Sequence, residues 1–406
     1  MTPSLRILIG LLAILWGGAA HAAPSHAGHG GHAAPACADI ALRPDCARVA
    51  TPAFGPDGSL LLAWPAGDRV MVARSPDGGR SLEAPVAIPM PQGVFDMPEG
   101  RPALAADSKG RVFLAVTAKQ PDSRYAGTLM FASSEDGGRS FAPPRAIATD
   151  PASQGFVTMA VGNDDRLTLA WIDKRGAAAA KRENRPYRAV GLMLVWSDDG
   201  GRTFSRQDMA ADHACECCRI AMTLDRHGQP LVMWRQVFEP NIRDHALISF
   251  AAPGRPNPPV KVGEDNWRVD ACPHHGPAIA AGRDGAAHAA WFTKGAAGPG
   301  LYHAHAADGV HFAPQAPLGN AEHAPAHPQL LSLDGAMWMA WKEFDGTTTR
   351  IMGQRSADGG ATWGETRTLA ETTDSSDHPL LAGNGKRAFL SWLTRREGWR
   401  LVELQP

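Results

Sequence analysis

The cysteines and histidines of this chain are the residues whose types and spacing could do chemistry. Residues 212–219 hold three cysteines in a Cys-x-Cys-Cys pattern, and residues 270–277 hold one more cysteine beside two histidines. Thiolate and imidazole are the ligands that soft or borderline metal ions prefer, with copper ranked above zinc. These patterns predict a copper site, or less readily a zinc site, formed by some of the residues Cys215, Cys217, Cys218, Cys272, His274, His275, His323 and His327.

The same cysteines have two alternative uses. Their spacing matches neither the Cys-x-x-Cys-His of haem attachment nor the paired Cys-x-x-Cys of a zinc ribbon. Cysteines of exported proteins usually pair, so Cys272 could form a structural disulfide with Cys217 or Cys218, or a dithiol there could be redox-active. Near the N-terminus, Cys37 and Cys46 are expected to form a separate disulfide.

The N-terminus indicates export. Arg6 precedes an apolar run, Ile7–Trp16, which leads to Ala20-His21-Ala22. This order is typical of a signal peptide cleaved near Ala22, so the mature chain is expected in the periplasm or secreted. No later stretch approaches the roughly 18 apolar residues of a membrane-spanning helix.

Residues 23–36 and the overall charge limit the expected partners. This segment contains three histidines among small residues and has no apolar periodicity, so it is expected to be a flexible tail. Such a tail either binds metal ions loosely or is only a solvated linker. The formal net charge is −1, which argues against nucleic acid as a partner. A metal ion, a small ligand and a protein remain as candidate partners.

A repeated unit of about 50 residues must position these groups. Pro52 and Pro102 are 50 residues apart, and Pro328 and Pro379 are 51 apart. Each of these prolines lies at the start of one copy of the unit, which consists first of a short strand, a turn and an apolar strand that usually ends in Trp. Helical periodicity is missing from the repeats. A sheet-only chain with this period closes radially, so residues 37–406 are predicted to be one all-β propeller.

Seven four-stranded blades are predicted, with six as the alternative. Six units are complete, whereas residues 379–405 supply only three strands. Residues 38–42 are expected to add the missing outer strand and so close the ring. The basic, Ala-rich insertion at residues 176–188 is expected to be a loop over one face.

The cysteines and histidines fall in one class of connection. Each segment links the outer strand of one blade to the inner strand of the next, and in a propeller such links surround the mouth of the central channel. Cys217 and Cys272, which are 55 residues apart, are expected to meet there. The later links bring His323, His327 and His378 to the same mouth.

The turns between third and fourth strands repeat a Ser-x-Asp-Gly-Gly motif. Its four good copies and one degenerate copy are centred on Asp77, Asp136, Asp199, Asp358 and Asp308. The Asp accepts backbone N–H groups and Gly permits a positive φ. With these turns the chain resembles the sialidase-like (BNR/Asp-box) propeller superfamily, and its Cys-Glu-Cys-Cys segment resembles that of an exported subgroup. In that superfamily the box lies opposite the active site.

The resemblance implies a second possible function. Sialidases use three arginines for the substrate carboxylate, a Tyr–Glu nucleophile pair and an Asp acid/base. The closest arginines here, Arg48, Arg101 and Arg219, could bind an anion or form inter-blade salt bridges, and no tyrosine has an evident Glu partner. A soft-metal propeller is therefore the leading interpretation. An exo-α-sialidase-type glycoside hydrolase and a protein- or glycan-binding scaffold with structural disulfides are the alternatives.

Overall fold

The structure is a computed structural model that describes residues 42–121, 123, 125–187 and 189–405. In this part of the chain, seven antiparallel sheets follow one another in sequence and surround a central channel as the blades of a propeller. The prediction of seven blades is confirmed, and the alternative of six is wrong. The expected signal peptide, the His-rich tail and Cys37 lie outside the described residues.

The first three blades each contain four consecutive strands. Blade 1 comprises β1 (Thr51–Phe54), β2 (Leu60–Pro65), β3 (Arg69–Ser75) and β4 (Val86–Pro89). Blade 2 comprises β5 (Ala103–Ala106), β6 (Val112–Lys119), β7 (Gly127–Ser134) and β8 (Arg145–Ala146). Blade 3 comprises β9 (Gln154–Val161), β10 (Leu167–Asp173), β11 (Val190–Ser197) and β12 (Asp208–Ala214).

The remaining blades keep this order, with a small hairpin added in blade 4. Blade 4 comprises β13 (Ala221–Leu224), β14 (Pro230–Arg235), β15 (His245–Ile248) and β18 (Val260–Val262), and the hairpin is β16 (Phe250–Ala252) with β17 (Arg255–Pro256). Blade 5 comprises β19 (Ala278–Ala281), β20 (Ala287–Thr293), β21 (Gly300–Ala306) and β22 (Ala316–Leu318). Blade 6 comprises β23 (Ala326–Leu333), β24 (Ala336–Phe344), β25 (Thr349–Ser356) and β26 (Arg367–Thr372). Blade 7 comprises β27 (Leu380–Gly383), β28 (Ala388–Thr394) and β29 (Gly398–Leu404).

The second strand of each blade is an apolar run because both of its faces are covered by neighbouring blades. β2 and β14 are buried at every residue. The tryptophans near the ends of six second strands are at most 1 % exposed: Trp64, Trp171, Trp234, Trp291, Trp341 and Trp392. The apolar runs ending in Trp therefore identified the second strands correctly.

The Asp-box turns lie at the edge of each blade opposite the inter-blade links. Ser75 at the end of β3 pairs with Leu60, whereas Thr51 at the start of β1 pairs with Ala63 near the other end of β2. In the first box the Asp77 carboxylate accepts hydrogen bonds from the Ser81 backbone N–H at 2.9 Å and hydroxyl at 2.6 Å. The predicted separation of box and link is confirmed by this register.

The N-terminal segment contacts the last blade. Blade 7 has three strands in the described part of the chain, and the Trp399 backbone N–H at its third strand donates to Asp45 Oδ1 at 2.8 Å. The predicted closing strand at residues 38–42 lies, except for Leu42, outside the described residues, so it stays a prediction. Cys46 is not among the four free cysteines of the described part, but its pairing with Cys37 also stays a prediction.

One helix departs from the expectation of a loop at residues 176–188. Helix α1 spans Arg175–Arg182, and three short 3-10 turns span Pro44–Cys46, Pro98–Gly100 and Ala321–His323. The run of alanines has the highest helix propensity, and Asp173 Oδ1 accepts the Arg175 backbone N–H at 2.9 Å at the start of the helix. Ala180 is buried against the propeller. This short helix is a local exception in a chain whose repeated elements are strands.

Candidate functional site

The central channel narrows to a cavity of about 260 Å³ that every blade helps to line. Every first strand contributes at least one residue to its wall, among them Thr51, Ala103, Val157, Ala221, Ala278, Gln329 and Leu380. The inter-blade links add Glu99, Arg101, Arg219 and His378 to its wall. The expectation that these links meet at one mouth therefore agrees with the structure.

Three cysteines form a buried thiol cluster in the link between β12 and β13. Cys215, Cys217 and Cys218 are 2 %, 5 % and 2 % exposed, and no disulfide joins them. The Sγ atoms of Cys215 and Cys217 are 3.5 Å apart, and all three Sγ atoms lie within 4.8 Å of one another. This thiol cluster is the part of the predicted site that the structure assembles most closely.

A buried arginine, Arg243, places positive charge beside the thiol cluster. Arg243 Nη1 donates to Cys215 Sγ at 3.2 Å, while its Nε donates to the Val269 carbonyl at 3.0 Å. Hydrogen bonds from the neighbouring thiols of Cys217 and Cys218, together with the charge of Arg243, lower the pKa of Cys215. The hydrogen bonds to Cys215 and Cys218 raise the pKa of Cys217. One thiolate is thus favoured over three.

Cys272 and His274 stand apart from the thiol cluster. Cys272 is exposed, and it lines a side pocket of about 310 Å³ together with Cys217 and Met97. His274 is also exposed and has a φ of 53°. Neither residue belongs to a group of close metal-ligand atoms in the described part of the chain. The structure therefore places both residues outside the group of ligand atoms that Cys215, Cys217 and Cys218 form.

A second cluster contains Glu99, His327 and His378. His378 Nδ1 and His327 Nδ1 lie 3.5 Å and 3.7 Å from Glu99 Oε1. The other carboxylate oxygen, Oε2, accepts the backbone N–H groups of Arg219 at 3.1 Å and Gly276 at 2.9 Å. Sequence reasoning missed Glu99. Its position in the same class of link, two residues before Arg101, was the signal that could have found it.

Stacked rings extend this carboxylate–imidazole cluster. The ring centroids of His327 and His378 are 3.4 Å apart, those of His275 and His327 are 4.8 Å apart, and those of His275 and Phe292 are 4.0 Å apart. His323 lies elsewhere, with its Nδ1 3.5 Å from Glu343 Oε2. The eight residues from which metal ligands are predicted are therefore divided between the thiol cluster, the carboxylate–imidazole cluster and the surface, and metal binding by any of them stays a prediction.

The three candidate anion-binding arginines have different surroundings. Arg101 forms a bidentate salt bridge with buried Asp377 at 2.6 Å and 3.0 Å. Arg219 donates to the carbonyls of Pro277 and Pro328, the latter at 3.0 Å. Arg48 is exposed. The two buried guanidiniums hold blades together, which agrees with the inter-blade alternative, and their donors are engaged by the protein.

None of the three tyrosines has a hydrogen bond from its hydroxyl to a Glu within the described residues. The Tyr187 hydroxyl donates to Asp212, and the Tyr302 hydroxyl donates to the Ala297 carbonyl at 2.5 Å. Tyr125 is 86 % exposed beside the side pocket. Within the described residues, the Tyr–Glu pair of a sialidase is therefore not assembled.

Comparisons with known proteins show similarity in fold. No family model matches the chain, and no curated protein matches it. An ulvan lyase of polysaccharide lyase family PL25, solved bound to -[GlcA(1-4)Rha3S]-, is 11 % identical, with a TM-score of 0.55 over 87 % of this chain and 93 % of that one. The polysaccharide lyase Uly1 is 10 % identical, with a TM-score of 0.53 over 86 % and 88 %. The Hadza microbial sialidase Hz136 is 14 % identical, with a TM-score of 0.49 over 86 % and 75 %.

The two polysaccharide lyases, with TM-scores above 0.5, agree with the fold of this chain, and at such low identity they carry no activity to it. Within the described residues, no helix has the length and apolar character needed to cross a membrane.

Proposed function

We propose that this chain is an exported metal-binding propeller whose thiol cluster holds one soft metal ion, with copper(I) preferred over zinc. The observation that carries the proposal is the set of three buried, unpaired thiols, Cys215, Cys217 and Cys218, in one link. Cysteines of exported proteins are usually paired in disulfides, so three neighbouring cysteines that remain as thiols require another explanation. Binding to a soft ion is such a reason.

The distances within the thiol cluster suit a shared ion. A metal–sulfur bond of about 2.3 Å gives sulfur–sulfur distances of about 3.8 to 4.0 Å in tetrahedral or trigonal geometry. The 3.5 Å between the Sγ atoms of Cys215 and Cys217, and the 4.8 Å limit for all three atoms, bracket that value. Small side-chain rotations are therefore enough to form the site.

The charges of the surrounding residues also favour a monovalent ion. Three thiolates and copper(I) carry a net charge of −2, and the guanidiniums of Arg243 and Arg235 carry +2. Arg243 contacts Cys215 directly, and the charge of Arg235 is close enough to lower the pKa of Cys218, which hydrogen bonding to Cys215 otherwise raises. A buried charged site is stable only when it is compensated in this way.

The side pocket gives the ion a route to the thiol cluster. Cys217 faces this pocket, and Met97 and Cys272 line the same space. Thioether and thiol sulfur both bind copper(I), so these two residues can act as transient ligands during loading. Cys272 thereby keeps a role in metal handling without belonging to the buried cluster.

The test is an anaerobic titration with copper(I) in competition with a chromophoric chelator. Mature protein is expected to bind one equivalent in the cluster, and Cys217→Ser combined with Cys218→Ser is expected to lose it. His274→Ala is the matched control, because this exposed histidine should leave the stoichiometry unchanged. Titration of a chain that lacks residues 24–36 distinguishes copper(I) bound by the thiol cluster from copper(I) bound by the His-rich tail. Equal binding by the double variant and the parent, or disulfides among these cysteines in a thiol count, would overturn the proposal.

The two alternative functions receive less support from the site. A sialidase-type glycoside hydrolase needs free arginine donors, but those of Arg101 and Arg219 are engaged by Asp377 and by backbone carbonyls. A scaffold stabilised by rim disulfides needs paired cysteines, but the four cysteines of the links are free. Release of sugar from sialosides by the purified protein would reopen the first alternative.

A further inference from the structure

We propose that Glu99, His327 and His378 form a second metal site, separate from the thiol cluster, which takes a borderline divalent cation such as Zn²⁺. The starting observation is a convergence of buried polar atoms. Glu99 Oε1, His327 Nδ1 and His378 Nδ1 are buried and have no hydrogen-bond partner, although they face one another. Buried polar atoms are rarely left without a partner, so three in one place point to a missing ligand.

The distances between these atoms suit a shared ion better than direct hydrogen bonds. The two Nδ1 atoms lie 3.5 Å and 3.7 Å from Oε1. A hydrogen bond would bring each pair to about 2.7–3.2 Å. Zinc bonds to nitrogen and oxygen of about 2.1 Å give ligand–ligand distances of about 3.4 Å in tetrahedral geometry. An ion therefore fits between the three atoms with little movement of Glu99.

The backbone holds the carboxylate so that its other oxygen, Oε1, faces the two imidazoles, and this oxygen also lies 3.5 Å from Arg219 Nε. Oε2 is fixed by the N–H groups of Arg219 and Gly276 at 3.1 Å and 2.9 Å. A side chain at position 276 would collide with Arg219 and crowd Oε2, so only glycine permits this approach. Outer contacts of this kind orient metal ligands and are typical of built sites.

The histidines are held by equally specific surroundings. His327 has a φ of 54°, a strained value for a non-glycine residue, and its ring is supported on one side by His275. His378 stacks on the other side with a centroid distance of 3.4 Å and an angle of 17° between the rings. This stack is closer than aromatic pairs prefer, and an ion bound to both Nδ1 atoms would tilt the two rings apart.

The chemical types of the three residues are those of metal ligands. Neutral imidazole is the form of histidine that binds a metal ion, and both rings are largely buried beside the carboxylate rather than exposed to water. One carboxylate and two neutral imidazoles form a ligand set suited to Zn²⁺.

The second site is distinct from the thiol cluster in chemistry and in access. Glu99 and His378 face the cavity of the central channel, whereas Cys217 faces the side pocket. The two sites adjoin along the backbone, because Cys218 belongs to one and the N–H of Arg219 supports the other. The structure thus places a sulfur site and a nitrogen–oxygen site on consecutive residues.

The test uses Co²⁺ as a spectroscopic probe and Zn²⁺ as its competitor. Mature protein carrying Cys217→Ser and Cys218→Ser is titrated with Co²⁺, and the expected result is one equivalent with visible d–d bands but without a sulfur-to-cobalt charge-transfer band. Adding His378→Ala or Glu99→Gln to this background should lower the affinity about 100-fold or more. Zn²⁺ should displace the cobalt.

His323→Ala in the same background is the matched control, because this histidine pairs with Glu343 outside the site. It should leave the cobalt spectrum unchanged. Retention of the spectrum in both His378→Ala and Glu99→Gln, or no binding by the parent, would overturn the second site. Should His378→Ala fail to fold, the isosteric Glu99→Gln carries the test alone. Failure of the copper(I) site would appear separately, as the absence of copper(I) binding by protein with all its cysteines, while the cobalt spectrum of the double variant persists.

Discussion

At the scale of single residues, Arg243 adds to the effect of the neighbouring thiols on the ionisation of Cys215. Its Nη1 lies 3.2 Å from Cys215 Sγ, and it helps to lower the pKa of that thiol. Replacing it by Gln should raise the pKa of Cys215, so the thiolate will be lost at a higher pH than in the parent. The measurement is thiolate absorbance during an acid titration of metal-free protein. Identical titration curves would show that Arg243 has no electrostatic role.

A second prediction at this scale concerns the contribution of Arg101 to the stability of the folded protein. Its bidentate salt bridge joins blade 2 to buried Asp377 in the link before blade 7, and Nη1 also donates to the Ala50 carbonyl at 3.2 Å. Arg101→Met would leave Asp377 buried and unpaired, which should reduce the free energy of unfolding by about 3–5 kcal/mol.

Urea denaturation measures this loss. Arg48→Met is the control, since this exposed arginine should change stability by less than about 0.5 kcal/mol. Equal effects of the two substitutions would contradict a specific role for the buried pair.

At the scale of elements, the Asp-box uses its two glycines for different purposes. Gly78 and Gly79 have φ values of 74° and 98°, so each favours glycine. A Cβ on Gly78 would meet nothing within 4 Å, whereas one on Gly79 would lie 2.7 Å from Leu401 Cδ2 of blade 7. The second glycine is therefore where the turn packs on the neighbouring blade.

Substitutions at these glycines should separate the two effects. Gly78→Ala should cost about 1–2 kcal/mol from backbone strain alone, and Gly79→Ala should cost about 1–3 kcal/mol more from the collision with Leu401. Chemical denaturation measures both, and copper(I) stoichiometry should stay at the parent value because the box lies at the opposite edge of the blade. A smaller loss for Gly79→Ala than for Gly78→Ala would contradict the packing role.

At the scale of the whole molecule, the chain ends close the ring. Asp45 accepts the Trp399 N–H at 2.8 Å, so the segment before blade 1 is tied to blade 7. Removal of the predicted disulfide by Cys37→Ser with Cys46→Ser should cost about 2 kcal/mol, the lower end of the usual range, because the loop is short.

Calorimetry and mass spectrometry together check this closure. The double variant should melt at a lower temperature and still bind one equivalent of copper(I), since the thiol cluster is formed by other cysteines. A free thiol at Cys46 in the mature parent protein would refute the predicted pairing. Loss of copper binding in the variant would instead show that closure and the thiol cluster are coupled.

The sequence by itself determined the repeat and the local parts of the site. The 50-residue period, the apolar second strands ending in Trp and the Asp-box turns follow from short-range patterns, so they could be assigned correctly. Cys215, Cys217 and Cys218 come together for the same reason, since they lie within four residues of one another. The fold class also needed no tertiary information, because a closed ring is the common way for repeated sheets to bury both faces.

Only the tertiary structure decided how residues from different links combine. Glu99 meets His327 and His378 across more than 200 residues, and Arg243 reaches Cys215 from blade 4. The repeat places these residues in links around one mouth of the channel. Which of them are in contact depends on side-chain direction, backbone φ and ring stacking, and the spacing of the residues in the sequence does not determine these. For this reason His323 and His274 lie outside both clusters, and Glu99, which no cysteine or histidine pattern marks, lies at the centre of one.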